Sequence, residues 1–170
     1  MADRYKTLSA GKDLMVEATT ASTGVGEAGD IVALDASGKL DPSLLPVGVG
    51  ADVKIAPASE NLSAGDYVNF FDAGGGVVNV RLADNSNGRE AHGFVLDAVT
   101  APANATVYFE GSNTAAAAGL PGQRAYLGTA GGVITTPLDP AVDVGDIHQL
   151  LGTYVDTTEI NTDIDDCVQL

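Results

Sequence analysis

The sequence is poor in aromatic residues, cysteine and basic side chains, and each shortage disfavours a class of protein. Tryptophan is absent and aromatic residues make up only 5% of the 170 positions, so glycoside hydrolysis and carbohydrate recognition lose support. The single cysteine, Cys167, rules out an internal disulfide framework. Eight basic residues against 23 acidic ones give a formal net charge of −15. We therefore expect no direct nucleic-acid binding and no binding to an anionic membrane.

Long helical patterns and long apolar runs are also missing. No stretch approaches the ~20 apolar residues of a membrane span. The N-terminal sequence MADRYKTLSAGKD lacks the apolar core of a signal peptide, which predicts synthesis in a cytoplasm. Gly or Pro interrupts nearly every segment long enough for three helical turns. With 21 glycines and an apolar fraction of 45%, the composition favours an all-β fold with its own core.

An internal repeat is the most informative feature of the chain. Each copy begins with a small residue or Pro, continues with Gly and a polar residue, and then has a strand, a glycine-bearing turn and a second strand. The alternation of Val68 and Phe70 with Tyr67 and Asn69 predicts a strand with one buried face. The three copies are AGDIVALDASGKL at 28–40, AGDYVNFFDAGGGVVNV at 64–80 and PGQRAYLGTAGGVITT at 121–136.

The second and third copies are followed by similar segments, GFVLD at 93–97 and GTYVD at 152–156, and then by final strands predicted at 106–110 and 166–170. We therefore predict a body of residues 53–170 made of two related units, about 53–111 and 120–170. Two such units packed together would form a small β-barrel, β-tulip or sandwich. Residues 1–52 are predicted to be an extended N-terminal arm that includes the first hairpin and the DPSLLP segment.

The DPSLLP segment predicts one short helical turn. Asp41 is a suitable N-cap, Pro42 suits the first helical position, and Pro46 ends the turn. The apolar residues around it fold back onto the chain's own body or contact a neighbouring subunit. As partner-contact residues we name Leu40, Leu44, Leu45 and Val47.

A search for catalytic or metal-binding chemistry finds no supporting motif. His92 and His148 are predicted at strand edges, and no Cys/His spacing matches a zinc site. Two acidic stretches, Asp84–Glu90 and Asp163–Asp166, lack the spacing of an EF-hand and are interpreted as an exposed hairpin loop and a solvated turn. The prediction is a protein that is not an enzyme, with no catalytic residues, no cofactor and no metal.

Two segments carry a resemblance to a known family. GDIVALDASGKLDPSLLPVGVGAD and PGQRAYLGTAGGVITTP with GDIHQLLGTYVDTTEI resemble β modules of tailed-bacteriophage virion proteins, and together they cover about half of the chain. The short chain, without a fibrous shaft, is most similar to capsid decoration (cement) proteins. A departure is Arg124-Ala125-Tyr126, which stands where the family usually has paired aromatics.

The resemblance implies a β-barrel or β-tulip body and a homotrimer that binds the major capsid protein on the outside of the phage head. It implies no catalytic residues. A tail or fibre-base protein built from the same modules is the alternative within this class. An adhesin module that binds glycans or calcium through its loops is the alternative from another class.

Overall fold

The computed structural model describes residues 4–9, 11–36, 38–45 and 52–170 and is all-β, as predicted from the sequence. The chain divides into two compact units, Met1–Gly50 (unit 1) and Ala51–Leu170 (unit 2). None of the helices in the described part of the chain is long and apolar enough to cross a membrane.

Unit 1 contains an antiparallel hairpin of β1 (Arg4–Ser9) and β2 (Lys12–Glu17). Two single turns of 3-10 helix follow, at Val25–Glu27 and Pro42–Leu44. The second lies where the DPSLLP segment predicts a helical turn. Asp41 caps it as predicted, because its Oδ1 accepts hydrogen bonds from the Ser43 backbone N–H and hydroxyl.

The described residues of unit 2 form two five-stranded antiparallel sheets and one two-stranded sheet. The strands of the first large sheet are β3 (Val53–Pro57), β4 (Tyr67–Asp72), β5 (Val78–Leu82), β6 (Gly93–Phe94) and β7 (Asn104–Tyr108). The strands of the second are β8 (Gly111–Asn113), β9 (Arg124–Leu127), β10 (Val133–Ile134), β12 (Leu150–Asp156) and β13 (Glu159–Thr162). The first sheet has the order β3-β7-β6-β4-β5, and the second has the order β8-β13-β12-β9-β10. The small sheet pairs β11 (Ile147–His148) with β14 (Val168–Gln169).

The two large sheets have the same chain path. Each sheet contains a hairpin, β4–β5 in the first and β9–β10 in the second. The next strand of the sheet along the chain, β6 or β12, pairs with the first strand of that hairpin. The strand after it, β7 or β13, pairs on its other side with a strand that precedes the hairpin, β3 or β8. In the predicted repeat at 120–170, the last strand of the large sheet is Glu159–Thr162, so the prediction that this strand lies at 166–170 is wrong. Residues 168–169 instead pair with β11, because the turn after β12 is short enough for 159–162 to return directly. A shared origin of the two halves stays a prediction.

The repeated Gly-polar pair forms the same β-turn three times. Ala28 has φ −62° and ψ 119°, and Gly29 has φ 97°, which is a type II turn that requires a positive φ at its third residue. The other two copies, with Gly65 at φ 89° and Gly122 at φ 87°, close with the same bond. The closing bonds run from Asp30 N to Glu27 O (3.1 Å), Asp66 N to Ser63 O (3.2 Å) and Gln123 N to Leu120 O (3.0 Å).

Among the described residues, two of the three predicted hairpins form. Those after Gly65 and Gly122 are β4–β5 and β9–β10. After Gly29 the described residues contain a turn closed by a bond from Asp35 N to Lys39 O, but only an isolated bridge at Val32. The prediction of a hairpin at 28–40 is therefore wrong: the local turn forms, and no neighbouring sheet receives its strands.

Two apolar clusters form the core of unit 2. One lies on one face of the first sheet and includes Val68, Val80 and Val107. The other joins both sheets and includes Tyr67, Phe94, Leu127, Leu151 and Tyr154. Tyr67 and Val68 are neighbours, and both have 0% of their surface exposed. The prediction of one buried face for this strand is wrong, because the strand has a core on each side.

The first sheet curls without closing into a barrel. Ala58 forms an isolated bridge with Val80 of β5, and the Ser59 N–H donates to the Val80 carbonyl over 2.9 Å. The two edges of this sheet therefore approach each other at one point, while the second sheet packs over its outer face through the shared cluster.

Buried amide side chains connect the two sheets. Asn113 donates from Nδ2 to the Gly65 carbonyl over 2.9 Å, and Asn85 donates from Nδ2 to the Leu127 carbonyl over 3.0 Å. Tyr67 and Thr162 place their hydroxyl oxygens 3.2 Å apart in the interior. A buried polar group without a partner is costly, so these bonds help to specify how the sheets meet.

The absence of a Cβ at Gly65 permits a close backbone approach that any other residue type at this position would prevent. A Cβ there would lie 1.9 Å from the Ala115 carbonyl oxygen, whereas a Cβ on Gly122, in the equivalent turn, would have no neighbour within 4 Å. We expect Gly122→Ala to lower the free energy of unfolding by about 1–2 kcal/mol from backbone strain alone. We expect Gly65→Ala to cost at least about 2 kcal/mol more, because the Ala115 segment must move. Urea unfolding of both variants measures the difference, and equal losses would contradict the close approach.

Candidate functional site

The predicted partner-contact residues lie at the end of unit 1. Leu40 has 48% of its surface exposed, and Leu44 and Leu45 are half-buried. Val47 lies outside the described residues. The hydrogen bonds from Ser43 lower the pKa of the Asp41 carboxyl, so the capping group stays ionised and the turn that carries Leu44 and Leu45 is locally stabilised.

Unit 1 has no apolar core among its described residues. None of the side chains that the structure describes in unit 1 is buried, and the two core clusters belong to unit 2. Its described part instead exposes large apolar side chains at Leu14, Met15, Val25, Ile31, Val32, Leu34 and Leu40. Single exposed apolar residues are ordinary, but a folded unit that buries none of them lacks the usual source of stability. This surface is suited to contact with another macromolecule.

Unit 2 contains an acidic cleft with a volume of about 450 Å³. Five carboxylates line it, and no lysine or arginine does. The cleft attracts cationic groups and can accept hydrogen bonds from hydroxyl or amino groups, and it repels phosphate. Its lining residues are Glu90, Ala91, His92, Phe109, Glu110, Gln149, Thr162, Asp163, Ile164, Asp165 and Asp166.

Gln149 assembles the cleft from distant parts of the chain. Its side-chain amide pairs with both backbone groups of Ala91, accepting from the N–H over 2.7 Å and donating to the carbonyl over 3.0 Å. It also donates to the Asp165 carbonyl over 3.0 Å. With only 2% of its surface exposed, this side chain holds the segments 90–92 and 163–166 beside each other.

Glu90 lies between His92 and Cys167 at the cleft. The Cys167 thiol donates to Glu90 Oε2 over 3.0 Å. The Phe70 backbone N–H donates to His92 Nδ1 over 3.0 Å, so the proton of the neutral ring is on Nε2, 3.1 Å from Glu90 Oε1. Each oxygen of the carboxylate therefore has one donor.

These contacts move two pKa values in opposite directions. The hydrogen bond from Cys167 is the main cause that lowers the pKa of the Glu90 carboxyl, and His92 adds to it. The same bond raises the pKa of the Cys167 thiol. A thiol held in its protonated form is a poor nucleophile.

The acidic stretch at 84–90 is a loop closed by antiparallel pairing of Asp84 with Arg89, and its tip at 86–88 is exposed as predicted, but the residue before the tip is not. Asp84 caps a 3-10 helix at Asn85–Asn87, with Oδ1 accepting from Ser86 and Oδ2 accepting from the Ala130 N–H. Asn85 is buried, with 5% of its surface exposed. The prediction missed this because the loop packs against the β9–β10 hairpin, which is more than forty residues away in sequence. In the described part of the chain, no group of three or more His, Cys, Asp or Glu residues is arranged to hold a metal ion.

The sequence identified some members of the cleft but not their convergence. Asp163–Asp166 and Glu90 belong to the two acidic stretches described above, and His92 was placed beside a strand. Glu110 and Gln149 were not singled out, and no local pattern marks them. Their proximity depends on pairing between strands far apart in sequence, as in the 58-residue separation between Ala91 and Gln149.

The chain is similar in sequence to a curated protein, and no family is shown for it. No family model matches the chain. The AA9 family lytic polysaccharide monooxygenase A of Talaromyces verruculosus is 29% identical over 133 residues, which cover 74% of this chain. The chain spans about a third (34%) of that relative's length.

This relative contradicts the prediction that the chain is not an enzyme. That prediction relied on short motifs with fixed spacing. Residues that act together can instead come from separate loops of a β fold, and their spacing then leaves no local signature.

Among solved structures, the N base of the head fibre gp8.5 of bacteriophage phi29 aligns with 68% of this chain and 95% of its own chain. The identity is 14% and the TM-score is 0.46.

The cleft contacts generate a pH prediction. Because the folded-state pKa of Glu90 is lowered, its contribution to stability is present above the ordinary value of 4.5 and is lost as the pH falls through the lowered pKa. We expect Cys167→Ala to move the Glu90 pKa upward, and by more than His92→Ala does, because the thiol is the larger cause. Carbon-13 NMR titration of the carboxyl measures both shifts. An unchanged Glu90 pKa in Cys167→Ala would contradict the thiol contact.

Proposed function

We propose that this chain is a structural protein of a tailed-phage virion and, more specifically, a capsid decoration protein. In this proposal many copies bind the outside of the head and bridge the major capsid protein subunits. The sequence resemblance of residues 29–52 and of the segments following Pro121 suggests this class. The association of the copies as a homotrimer is part of the same proposal.

The supporting observation is the contrast between the two units. Unit 2 holds both apolar clusters, whereas no described side chain of unit 1 is buried. A unit with exposed Leu and Ile side chains and no core gains stability when a partner covers it. We assign the body to unit 2 and the contact with the shell to unit 1, through Leu40, Leu44 and Leu45.

The charge distribution is compatible with this division. Residues 51–170 carry sixteen acidic and four basic side chains, whereas residues 1–50 carry seven and four. The strongly anionic body keeps free copies apart and is repelled by nucleic acid. The nearly balanced unit 1 can approach a protein surface with less repulsion.

Each copy needs only a modest affinity. Burial of several hundred Å² of apolar surface at about 25 cal/mol per Å² contributes several kcal/mol before the cost of ordering is subtracted. A multivalent assembly multiplies such contacts, because the second and third arms bind at a high effective concentration. The shell then resists internal pressure through many weak bridges.

The test compares two pairs of substitutions in the full chain. We expect Leu40→Asp with Leu44→Asp to weaken co-sedimentation with phage heads at least about tenfold, because two apolar contacts become charged. The control is Val142→Asp with Val144→Asp, since these side chains are 76% and 74% exposed on unit 2. The control should bind like the unchanged protein. Equal binding by the two variants would contradict the assignment to unit 1.

A truncation provides a second readout. Residues 51–170 contain both core clusters, so this fragment should stay folded by circular dichroism and fail to bind heads. Full binding by the fragment would refute the proposal. Gold labelling of intact virions distinguishes a head position from a tail or fibre-base position, the alternative within the same class.

A second candidate is binding to polysaccharide, which the 29% identity to a lytic polysaccharide monooxygenase favours. The acidic cleft offers carboxylates that can accept hydrogen bonds from sugar hydroxyls. We expect co-sedimentation with insoluble cellulose or chitin that Glu110→Gln with Asp163→Asn weakens. A protein that stays in the supernatant with both polysaccharides would exclude this candidate.

A further inference from the structure

The β1–β2 hairpin of unit 1 is an incomplete sheet. It pairs six residues with six, and in the described part of the chain no further strand pairs with the outer edge of β1 or of β2. Two residues beyond β2, Thr19 makes only an isolated parallel bridge with Val32. A two-stranded hairpin is at best marginally stable in water, and three or more strands are needed for independent stability. Unpaired edges also present backbone N–H and C=O groups to any strand that can pair with them.

The charges on one face of this hairpin are divided by strand. Paired residues in antiparallel strands share a face, and side chains alternate along each strand, so Arg4, Lys6, Asp13 and Glu17 lie on one face. The basic pair belongs to β1 and the acidic pair to β2. Arg4 Nη2 lies 2.9 Å from Glu17 Oε1, and Lys6 Nζ lies 2.5 Å from Asp13 Oδ2.

This division makes the two edges unequal and complementary. Pairing β1 with β1 of another copy would bring Arg4 and Lys6 against the same residues, and pairing β2 with β2 would bring Asp13 against Glu17. Like charges in cross-strand positions are destabilising. Pairing β1 of one copy with β2 of the next repeats the pattern of ion pairs already present inside the hairpin.

We propose that a second copy of this chain covers the hairpin, with the outer edge of β1 in one copy pairing with the outer edge of β2 in the next. The contact joins two different surfaces, so it continues from copy to copy until the ring closes. Backbone hydrogen bonds connect the copies, and the four charged residues select the partner edge and its direction. The added strands give unit 1 the wider sheet that one chain lacks.

The proposal does not depend on capsid binding. The hairpin at 4–17 is separate in sequence from the predicted shell-contact residues at 40–45, and the experiment below contains no phage heads. A failure of self-association would remove the homotrimer from the proposed function but would leave the docking experiment readable, and a failure of docking would leave self-association unaffected.

The experiment exchanges the charges of the two strands together. The variant Arg4→Glu, Lys6→Glu, Asp13→Lys and Glu17→Lys keeps both ion pairs inside the hairpin, keeps the net charge, and keeps complementary edges between identical copies. We expect this variant and the unchanged protein each to form oligomers of equal size by native mass spectrometry. Because the unchanged β1 and the exchanged β2 are both basic, mixed oligomers should be disfavoured.

Isotope labelling of one of the two proteins makes mixed and unmixed oligomers distinguishable by mass. After mixing at high salt and return to low salt, we expect mixed species at least roughly tenfold below their random share. The control exchanges four exposed charges of unit 2, Lys54→Glu, Arg124→Glu, Asp97→Lys and Asp166→Lys, and should mix at the random share. A monomeric mass for the unchanged protein would overturn the proposal. Mixed oligomers at or above the random share would overturn it as well.

Discussion

The pairing of the Gln149 side chain with the backbone of Ala91 is the contact on which the arrangement of unit 2 most depends. It provides hydrogen-bond partners for the backbone N–H and carbonyl of Ala91, just before β6, in an interior where an unpaired amide is costly. A third bond, to the Asp165 carbonyl, brings the acidic C-terminal segment to the same place. Through one buried side chain, the second half of the chain thus completes the first half, and the acidic cleft forms at their junction.

The shared core gives this junction its stability. Tyr67 and Phe94 of the first sheet and Leu127 and Tyr154 of the second belong to one apolar cluster. Tyr154 directs its hydroxyl to the Ala117 carbonyl over 2.8 Å, so the ring is buried without leaving the oxygen unpaired. The separate cluster around Val68 and Val107 stabilises the curl of the first sheet. A chain with few aromatic residues therefore concentrates several of them where the two sheets meet.

The described part of unit 1 is held together by polar contacts and not by an apolar core. It uses ion pairs, caps and turns, such as the Asp41–Ser43 cap, and none of its described side chains is buried. Local hydrogen bonds specify shape but contribute little net stability. Under the proposed function, association with a partner would supply the stability that unit 1 lacks. The charge is divided accordingly, with unit 2 strongly anionic and unit 1 much less so.

The sequence by itself determined the local geometry and the fold class. The Gly-polar pairs at Gly29, Gly65 and Gly122 predict tight turns, and all three glycines have the positive φ that the third residue of a type II turn requires. The tertiary structure decided which turns lead into paired strands, since the strand after Gly29 finds no sheet while the other two do. It also decided that Tyr67 and Val68 are both buried and that Glu90 meets Cys167, 77 residues away. Turn formation depends on a few adjacent dihedral angles, whereas burial and convergence depend on long-range strand pairing that no short stretch of sequence encodes.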